Sequence, residues 1–414
     1  MLSIDFIRKN KEKVIESTKN KNREADIDKL LLLDDERRGY IQQIQKLREE
    51  RNELAKKRDD SVKTRGKEIK EELKEAETKL ADLEIALQNM LAYVPNVPLD
   101  EVPVGKDESA NVEIKTWGKP KMFSFTPKSH IDIAKDLDLI DFERGSKVSG
   151  FRGYFLKNQL AVLHMGLLMY VFQKLSQKGY TPVVAPSIVK GFSMFGTAQF
   201  PWGEPEVYKL NDDDAYLSGT AEVPVTSYYA NETLNEKDLP KKFVAFSPCF
   251  RREAGSYGKD TKGLYRVHEF WKIEQVLIGK NDMDAARELH KELQANSEEI
   301  LEELGLPYRV LLMCTGDMGE PQVLKYDTET WMPERNAYGE TMSNSIMGDY
   351  QARRLGIKYK TAEGKTEYCY TLNNTAVASP RILIALLENF QQEDGSVEIP
   401  HVLRPFVGFS SIAK

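Results

Sequence analysis

Between residues 27 and 94 apolar side chains recur in alternating steps of three and four: Leu30, Leu33, Arg37, Tyr40, Ile44, Leu47, Arg51 and Leu54, then Ile69, Leu73, Ala76, Leu80, Leu83, Leu87, Met90 and Val94. That spacing is the seam of a two-stranded coiled coil. The stretch holds no proline and only two glycines, Gly39 and Gly66, the second of them in the break DDSVKTRG between the two runs. Two similar helices around a short break fold most simply as an antiparallel hairpin. About 30 residues per helix at 1.5 Å each give an arm of ~45 Å. Pro95, Pro98 and Pro103 then mark a linker, placed at 101–118, which divides a helical unit (1–100) from the remainder (119–414).

After the linker the pattern changes. A helix is expected near 157–178, a proline-bearing strand at YTPVVAPSIV, strands at 243–252 and 266–278, a helix at 282–304, a strand near 366–373 and a helix at 380–391. Strand and helix do not alternate regularly enough for a parallel doubly wound sheet. An α+β fold with an antiparallel sheet fits better. Neither GxxxxGK[ST] nor GxGxxG after a strand is present.

Composition narrows the picture. The 414 residues carry a net charge of −6, which argues against a generally basic DNA-binding protein. The helical break is the exception, with Lys56, Lys57, Arg58, Lys63, Arg65, Lys67 and Lys70 against Asp59, Asp60 and Glu68. A solvated helix end and a phosphate-contacting tip both account for it. Cys249, Cys314 and Cys369 are odd in number and far apart, with no CxxC, so neither a disulfide framework nor zinc is expected and a reducing cytoplasm is. The longest apolar run, near 160–172, contains His164 and is shorter than the ~20 residues of a membrane span.

The chemistry concentrates in residues 248–276. Arg251 and Glu253 share one strand face, and Arg266, His268, Phe270 and Glu274 share another. Where a structural sheet buries β-branched residues, this pattern offers guanidinium, π-surface and carboxylate in a row. From Phe270 to Glu274 is ~13 Å along a strand, the reach from a purine past a phosphate to a small group esterified on it. Gly255, Gly258 and Gly263 give the connecting loop freedom to fold over a ligand. An exposed hairpin with salt bridges remains the plain alternative.

FRREAGSYGKDTKGLYRVHEFWKIE resembles motif 2 of the class II aminoacyl-tRNA synthetases, in the form found in the seryl-tRNA synthetase family. GYTPVVAPSIV, with Pro186, resembles motif 1. FGTAQFP and LSGTAEVPVTSYYANETL resemble that family's serine-binding region, ETMSNSIMGDYQARR its metal and ATP segment, and LNNTAVASPRILIALLENFQQEDGSVEIPHVLRPF its motif 3. The resemblance covers nearly the whole chain, the helical arm included.

The resemblance implies an ATP-dependent serine–tRNA ligase, cytoplasmic and homodimeric, acting on L-serine and tRNA(Ser), with tRNA(Sec) a second candidate acceptor and no membrane or DNA partner. It implies that Arg251 and Arg381 are catalytic. Thr220, Ala221, Glu222, Arg251, Glu274 and Thr375 would bind serine. Arg251, Arg252, Glu253, Arg266, Val267, Phe270, Glu340, Thr341, Met342, Ser343 and Arg381 would bind ATP, with Phe270 and Arg381 on opposite faces of the purine. Glu340 and Ser343 would hold Mg²⁺. The arm-tip residues Lys56, Lys57, Arg58, Lys63, Arg65 and Lys67 would meet tRNA. Departures are few. Motif 3 reads NNTAVASPR where NGSGLAVGR is common, Arg252 stands where serine is frequent, Gly219 precedes TAE where proline is usual, and Met342 lies inside ETMS. None removes a required charge. A carrier-protein ligase on the same core would lack the arm, an inactive paralogue would have lost ligand residues, and a synthetase for threonine or proline would lack the helical hairpin.

Overall fold

The computed structural model describes residues 1–56, 61–211, 213–254 and 262–414; the side chains of 61–63 are not described. The chain forms two compact units, Met1–Val97 and Pro98–Lys414.

In the first unit, helices α1 (Ile4–Lys9) and α2 (Lys11–Asn20) precede the long pair α3 (Ile27–Leu54) and α4 (Ser61–Ala92). Asp26 caps α3 by accepting from the Lys29 N–H at 2.9 Å. The three-four spacing produces the expected contact. Ile44 and Leu47 of α3 pack on Ile69, Leu73 and Ala76 of α4, while nearer the root Ile27 and Leu30 meet Leu87 and Leu91 beneath Ile7 and Val14. The polar seam position Arg37 has its own reason. Its guanidinium lies 2.8 Å from Asp34, which is fully buried and also takes Arg8 at 2.8 Å and Arg38 at 2.9 Å. Burial works against the Asp34 charge, but the arginines outweigh it and hold the carboxyl below its ordinary range.

The second unit is built on an eight-stranded sheet. Its strands are β1 (Val112–Trp117), β2 (Thr181–Val184), β3 (Lys241–Phe250), β4 (Glu269–Gly279), β5 (Tyr308–Leu312), β6 (Leu324–Met332), β7 (Ala337–Gly348) and β8 (Tyr370–Ala378). Their spatial order is β1-β5-β6-β7-β8-β4-β3-β2, and every pairing is antiparallel except β2 on β3. Helix α5 (Asn158–Gln177), helix α6 (Met283–Glu303) and helix α7 (Ser379–Asn389) pack on this sheet. Alternation along β4 divides its residues. Gln275 points to α6, donating to Leu293 O at 3.3 Å and to Asn374 Oδ1 at 2.7 Å. Phe270, Lys272 and Glu274 project from the other face.

Two expectations need correction. Residues 112–117, inside the stretch expected to be linker, are an edge strand paired to Tyr308–Leu312 with a bulge between Glu113 and Lys115. Its alternation was hidden because both faces are largely exposed. The strands flanking the motif 2 loop also end further from it than 243–252 and 266–278 would put them. The ladder stops at Phe250 and resumes at Glu269, with Arg251 N–H donating to His268 O at 2.9 Å just beyond it. Glu253 takes a left-handed backbone, φ 52°, which no strand accommodates. Arg266 and His268 are therefore not on the ladder face with Phe270 and Glu274.

Candidate active site

A cavity of about 560 Å³ opens on the Phe270–Glu274 face, lined by parts of β3, β4, β6, β7 and β8, the start of α7, and the segment before the short helix Glu222–Thr226. Two β-bulges aim its side chains. Ala376 is the extra residue where β8 pairs with β4, which sets Thr375 opposite Glu274. Thr341 is the extra residue where β7 pairs with β6, so Glu340 and Ser343, three apart in sequence, both line the cavity.

At one end sit Thr220, Glu222, Glu274 and Thr375, all buried. Thr375 Oγ1 donates to Glu274 Oε2 at 3.2 Å, and Gln351 Nε2 donates to Glu222 Oε1 at 2.8 Å. Burial pushes the Glu222 carboxyl up to about 7, with the Glu274 charge adding to it. Lys272 joins this group. Its Nζ lies 2.6 Å from Glu274 Oε2 and donates to Thr220 Oγ1 at 2.8 Å.

At the other end Arg381, near the N-terminus of α7, donates from Nη1 to the Glu340 carbonyl at 2.8 Å and to Glu340 Oε2 at 3.1 Å, and lies 4.5 Å over the Tyr265 ring. Desolvation opposes the Glu340 charge, but Arg381 and Lys325 hold its carboxyl well below the ordinary range. Arg251 stands between the two ends. Its field acts on Glu222 and on Glu340, its guanidinium lies 5.3 Å over the Phe270 ring, and its Nε donates to Gly219 O at 3.4 Å. Glu253 Oε2 accepts from Arg266 Nη1 at 3.1 Å.

The end of the motif 2 loop is anchored from behind. Leu264 N–H donates to His130 Nε2 at 3.3 Å, while His130 Nδ1 lies 2.9 Å from Glu388 Oε1 on α7. The acceptor role of Nε2 places the ring proton on Nδ1. A Cβ on Gly263, φ +75°, would come within 2.2 Å of the same Nε2, so glycine is required there.

Of the residues singled out in the sequence, Thr220, Glu222, Arg251, Glu253, Arg266, Val267, Phe270, Glu274, Glu340, Thr341, Met342, Ser343, Thr375 and Arg381 line the one cavity. Thr341 lines it with its hydroxyl turned inward to Thr328 O and Thr330. Three do not join them, among them His268, which lies beside Phe151 and Tyr208. Ala221 packs under the site with Val225, Phe243 and Val276, and the Arg252 guanidinium lies 6.0 Å over Tyr208, outside the lining. Lys57, Arg58 and the Lys63 side chain, with the loop glycines Gly255 and Gly258, lie outside the described residues. Arg65 is held by Glu50, Glu68 and Glu72 at 2.8, 3.3 and 2.7 Å, while Lys56 and Lys67 are exposed. Lys272, Lys325 and Tyr265 line the cavity without having been singled out. Lys272 carried a signal, since it falls midway between Phe270 and Glu274 on their shared face.

The sheet and the cavity together define a class II aminoacyl-tRNA synthetase core, and residues 206–390 match the family described as "tRNA synthetase class II core domain (G, H, P, S and T)". Residues 1–98 match the seryl-tRNA synthetase N-terminal domain. The chain is 45% identical to a serine–tRNA ligase of Deinococcus radiodurans over 99% of its own length and 98% of that protein's. It superposes with a TM-score of 0.94 on the crystal structure of seryl-tRNA synthetase from Pyrococcus horikoshii complexed with ATP, at 38% identity, covering 100% of this chain and 99% of that one. With the cytoplasmic serine–tRNA ligase of Naegleria fowleri in complex with AMP the TM-score is 0.90 at 32% identity, covering 100% and 98%. The chain belongs to the seryl-tRNA synthetase family. It is an aminoacyl-tRNA ligase that charges tRNA with serine.

Proposed function

We propose that the cavity runs the reaction with serine at the Glu222–Glu274 end and ATP at the Glu340–Arg381 end. The observation that carries this is that one cavity brings Arg251 together with Thr220, Glu222 and Glu274 and with Glu340 and Arg381. The serine carboxylate attacks the α-phosphorus, the bond to pyrophosphate breaks, and seryl-adenylate forms. A ribose hydroxyl of the tRNA's terminal adenosine then takes the seryl group and AMP leaves. Arg251 screens the two anions as they meet and stabilises the charge gathering on the phosphoryl oxygens. No enzyme base is needed for the first step, because the carboxylate is already ionised. Phe270 supplies a π-face for the adenine, Arg381 closes the opposite side, and Arg266 faces the γ-phosphate.

Glu340 and Ser343 fit Mg²⁺, since a hard cation shared with phosphate oxygens needs few protein oxygens and these two line the cavity together. When bound, the ion would neutralise phosphate charge. Glu340, kept ionised by its cations, is suited to hold it. Pyrophosphate exchange across a panel of amino acids tests the whole reading. Serine-dependent exchange is expected, and exchange driven by threonine or proline instead would overturn it.

We further propose that the enzyme is a homodimer. Val162, Met165 and Met169 form an exposed apolar stripe on α5, and Val184 and Ile188 of the motif 1 segment are exposed near it in sequence. A second copy of the chain covering this face fits motif 1's role in the family. Sedimentation at micromolar concentration is expected to give twice the chain mass, and a monomer would count against it. A reducing cytoplasm suits the three free, buried cysteines.

The arm supports tRNA(Ser) as the acceptor. Because Arg65 is committed to three glutamates, the exposed Lys56 and Lys67 are the better probes. Reversing both to Glu is expected to raise the KM for tRNA about 10-fold and flatten its salt dependence, while serine-dependent exchange stays unchanged. Equal loss of both steps would refute a tRNA role for the tip. Transcripts of tRNA(Ser) and tRNA(Sec) run side by side report whether both are charged.

A further inference from the structure

Strand alternation puts Lys272 between Phe270 and Glu274, on the face that opens to the cavity. A lysine buried to 5% exposure is costly unless its charge is used. Its Nζ is held by Glu274 Oε2 at 2.6 Å and Thr220 Oγ1 at 2.8 Å, two groups assigned above to serine. Glu274 Oε2 also accepts from Thr375 at 3.2 Å, so both donors fall on one oxygen. Oε1 takes no side-chain donor among the described residues. Thr220 Oγ1 accepts a second hydrogen bond, from Glu222 N–H at 3.2 Å, which leaves its own proton to point away from both donors.

Charge counting gives the consequence. Glu222 and Glu274 carry two negative charges where the substrate brings one ammonium, and Lys272 supplies the missing cation. The titratable and charged groups around Lys272 are Glu274 on its own strand, Cys249 on β3, Arg251 just past β3, and Glu222 at the start of its short helix. Burial pushes the Cys249 thiol up, so it contributes no charge at neutral pH. Arg251 is the only other cation of the group, and the substrate carboxylate claims it.

We propose that Lys272 is the specificity-positioning residue of the serine pocket: it keeps Glu274 an acceptor-only carboxylate with Oε1 presented to the substrate hydroxyl. This rests on the serine pocket as read above. An acceptor-only carboxylate is left unpaired by alanine, and that loss is what rejects it. With Lys272 removed, Glu274 Oε2 loses its cation and keeps only the Thr375 hydroxyl, so nothing fixes Oε1 toward the substrate. A carboxylate no longer held with Oε1 toward the substrate is less penalised by a missing hydroxyl, and serine loses most of its advantage.

The test is adenylate formation, followed by pyrophosphate exchange, with serine and alanine on the unaltered enzyme and Lys272→Met. The ratio of kcat/KM for serine over alanine should fall at least ~10-fold, almost all of it through serine. The serine profile of the variant should shift to higher pH, because Glu222 loses a neighbouring cation that favours its ionised form. ATP affinity should not change. Should Lys272→Met fail to bind ATP, Lys272→Gln, which can bond the same oxygens without the charge, carries the same two readouts with a smaller fall in the ratio. An unchanged serine-to-alanine ratio and pH profile in a variant that binds ATP would overturn the role of Lys272 alone. Absence of serine-dependent exchange in the unaltered enzyme would overturn the pocket reading beneath it.

Discussion

Replacing Arg251 with alanine is expected to lower serine-dependent pyrophosphate exchange by on the order of 10³-fold or more. The size follows from what the guanidinium faces. On the proposed reading it lies between a carboxylate and a triphosphate in the ground state, and in the transition state the same two groups close to bonding distance with more charge on the phosphoryl oxygens. A fixed cation gains most in that second state, so the loss should fall on kcat as well as on KM. The fold should survive. The Arg251 side chain donates one long hydrogen bond, 3.4 Å to Gly219 O, and otherwise rests on Phe270. Losing both costs about 1 kcal/mol, a shift of a few degrees in melting. Exchange measured beside thermal melting separates the two effects. A folded variant that kept its exchange rate would place the phosphoryl chemistry elsewhere.

The physical reasons why some of this was legible in sequence, and some not, differ by element. The helical pair was readable because Ile44, Leu47, Ile69 and Leu73 repeat on a helical period and meet where that period puts them. The site segments were readable because guanidinium, aromatic and carboxylate residues occupy strand positions that a structural sheet fills with apolar ones. What alternation cannot give is a change of phase. The bulge at Thr341 brings Glu340 and Ser343 to one cavity although strict alternation would part them, and the extra residue Ala376 sets Thr375 against Glu274. The left-handed Glu253 ended the ladder early and sent His268 to the far side, where its Nδ1 donates to Arg251 O at 3.0 Å. Lys272 was overlooked for the opposite reason. Alternation did place it on the site face, but a lysine in a strand reads as solvated surface until its partners Glu274 and Thr220 are seen. Arg65 shows the converse, a basic residue at a basic tip whose charge is already satisfied by three glutamates.

Serine activation should depend on pH through Glu222. With its carboxyl raised to about 7 by burial, the empty enzyme holds a proton there at mildly acidic pH. A neutral carboxyl cannot pair with the serine ammonium, so only the ionised fraction binds productively. The sign follows: kcat/KM for serine should rise with pH through about 7 and fall about 10-fold between pH 8 and pH 6. The kcat value should move less, because bound ammonium keeps the carboxylate ionised, and calorimetry below pH 7 should detect a proton released on binding. Stability runs the other way. A carboxyl whose folded-state value lies above its ordinary 4.5 favours the folded protein less as pH climbs from there toward 7, so serine should raise the melting temperature more at pH 8 than at pH 6. Glu222→Gln removes the titrating group. It should leave a serine profile without this inflection at ~10²-fold lower kcat/KM, the scale of an unpaired ammonium in a buried site. A flat profile from pH 6 to 8 in the unaltered enzyme, or near-normal serine use by Glu222→Gln, would move the ammonium site away from Glu222.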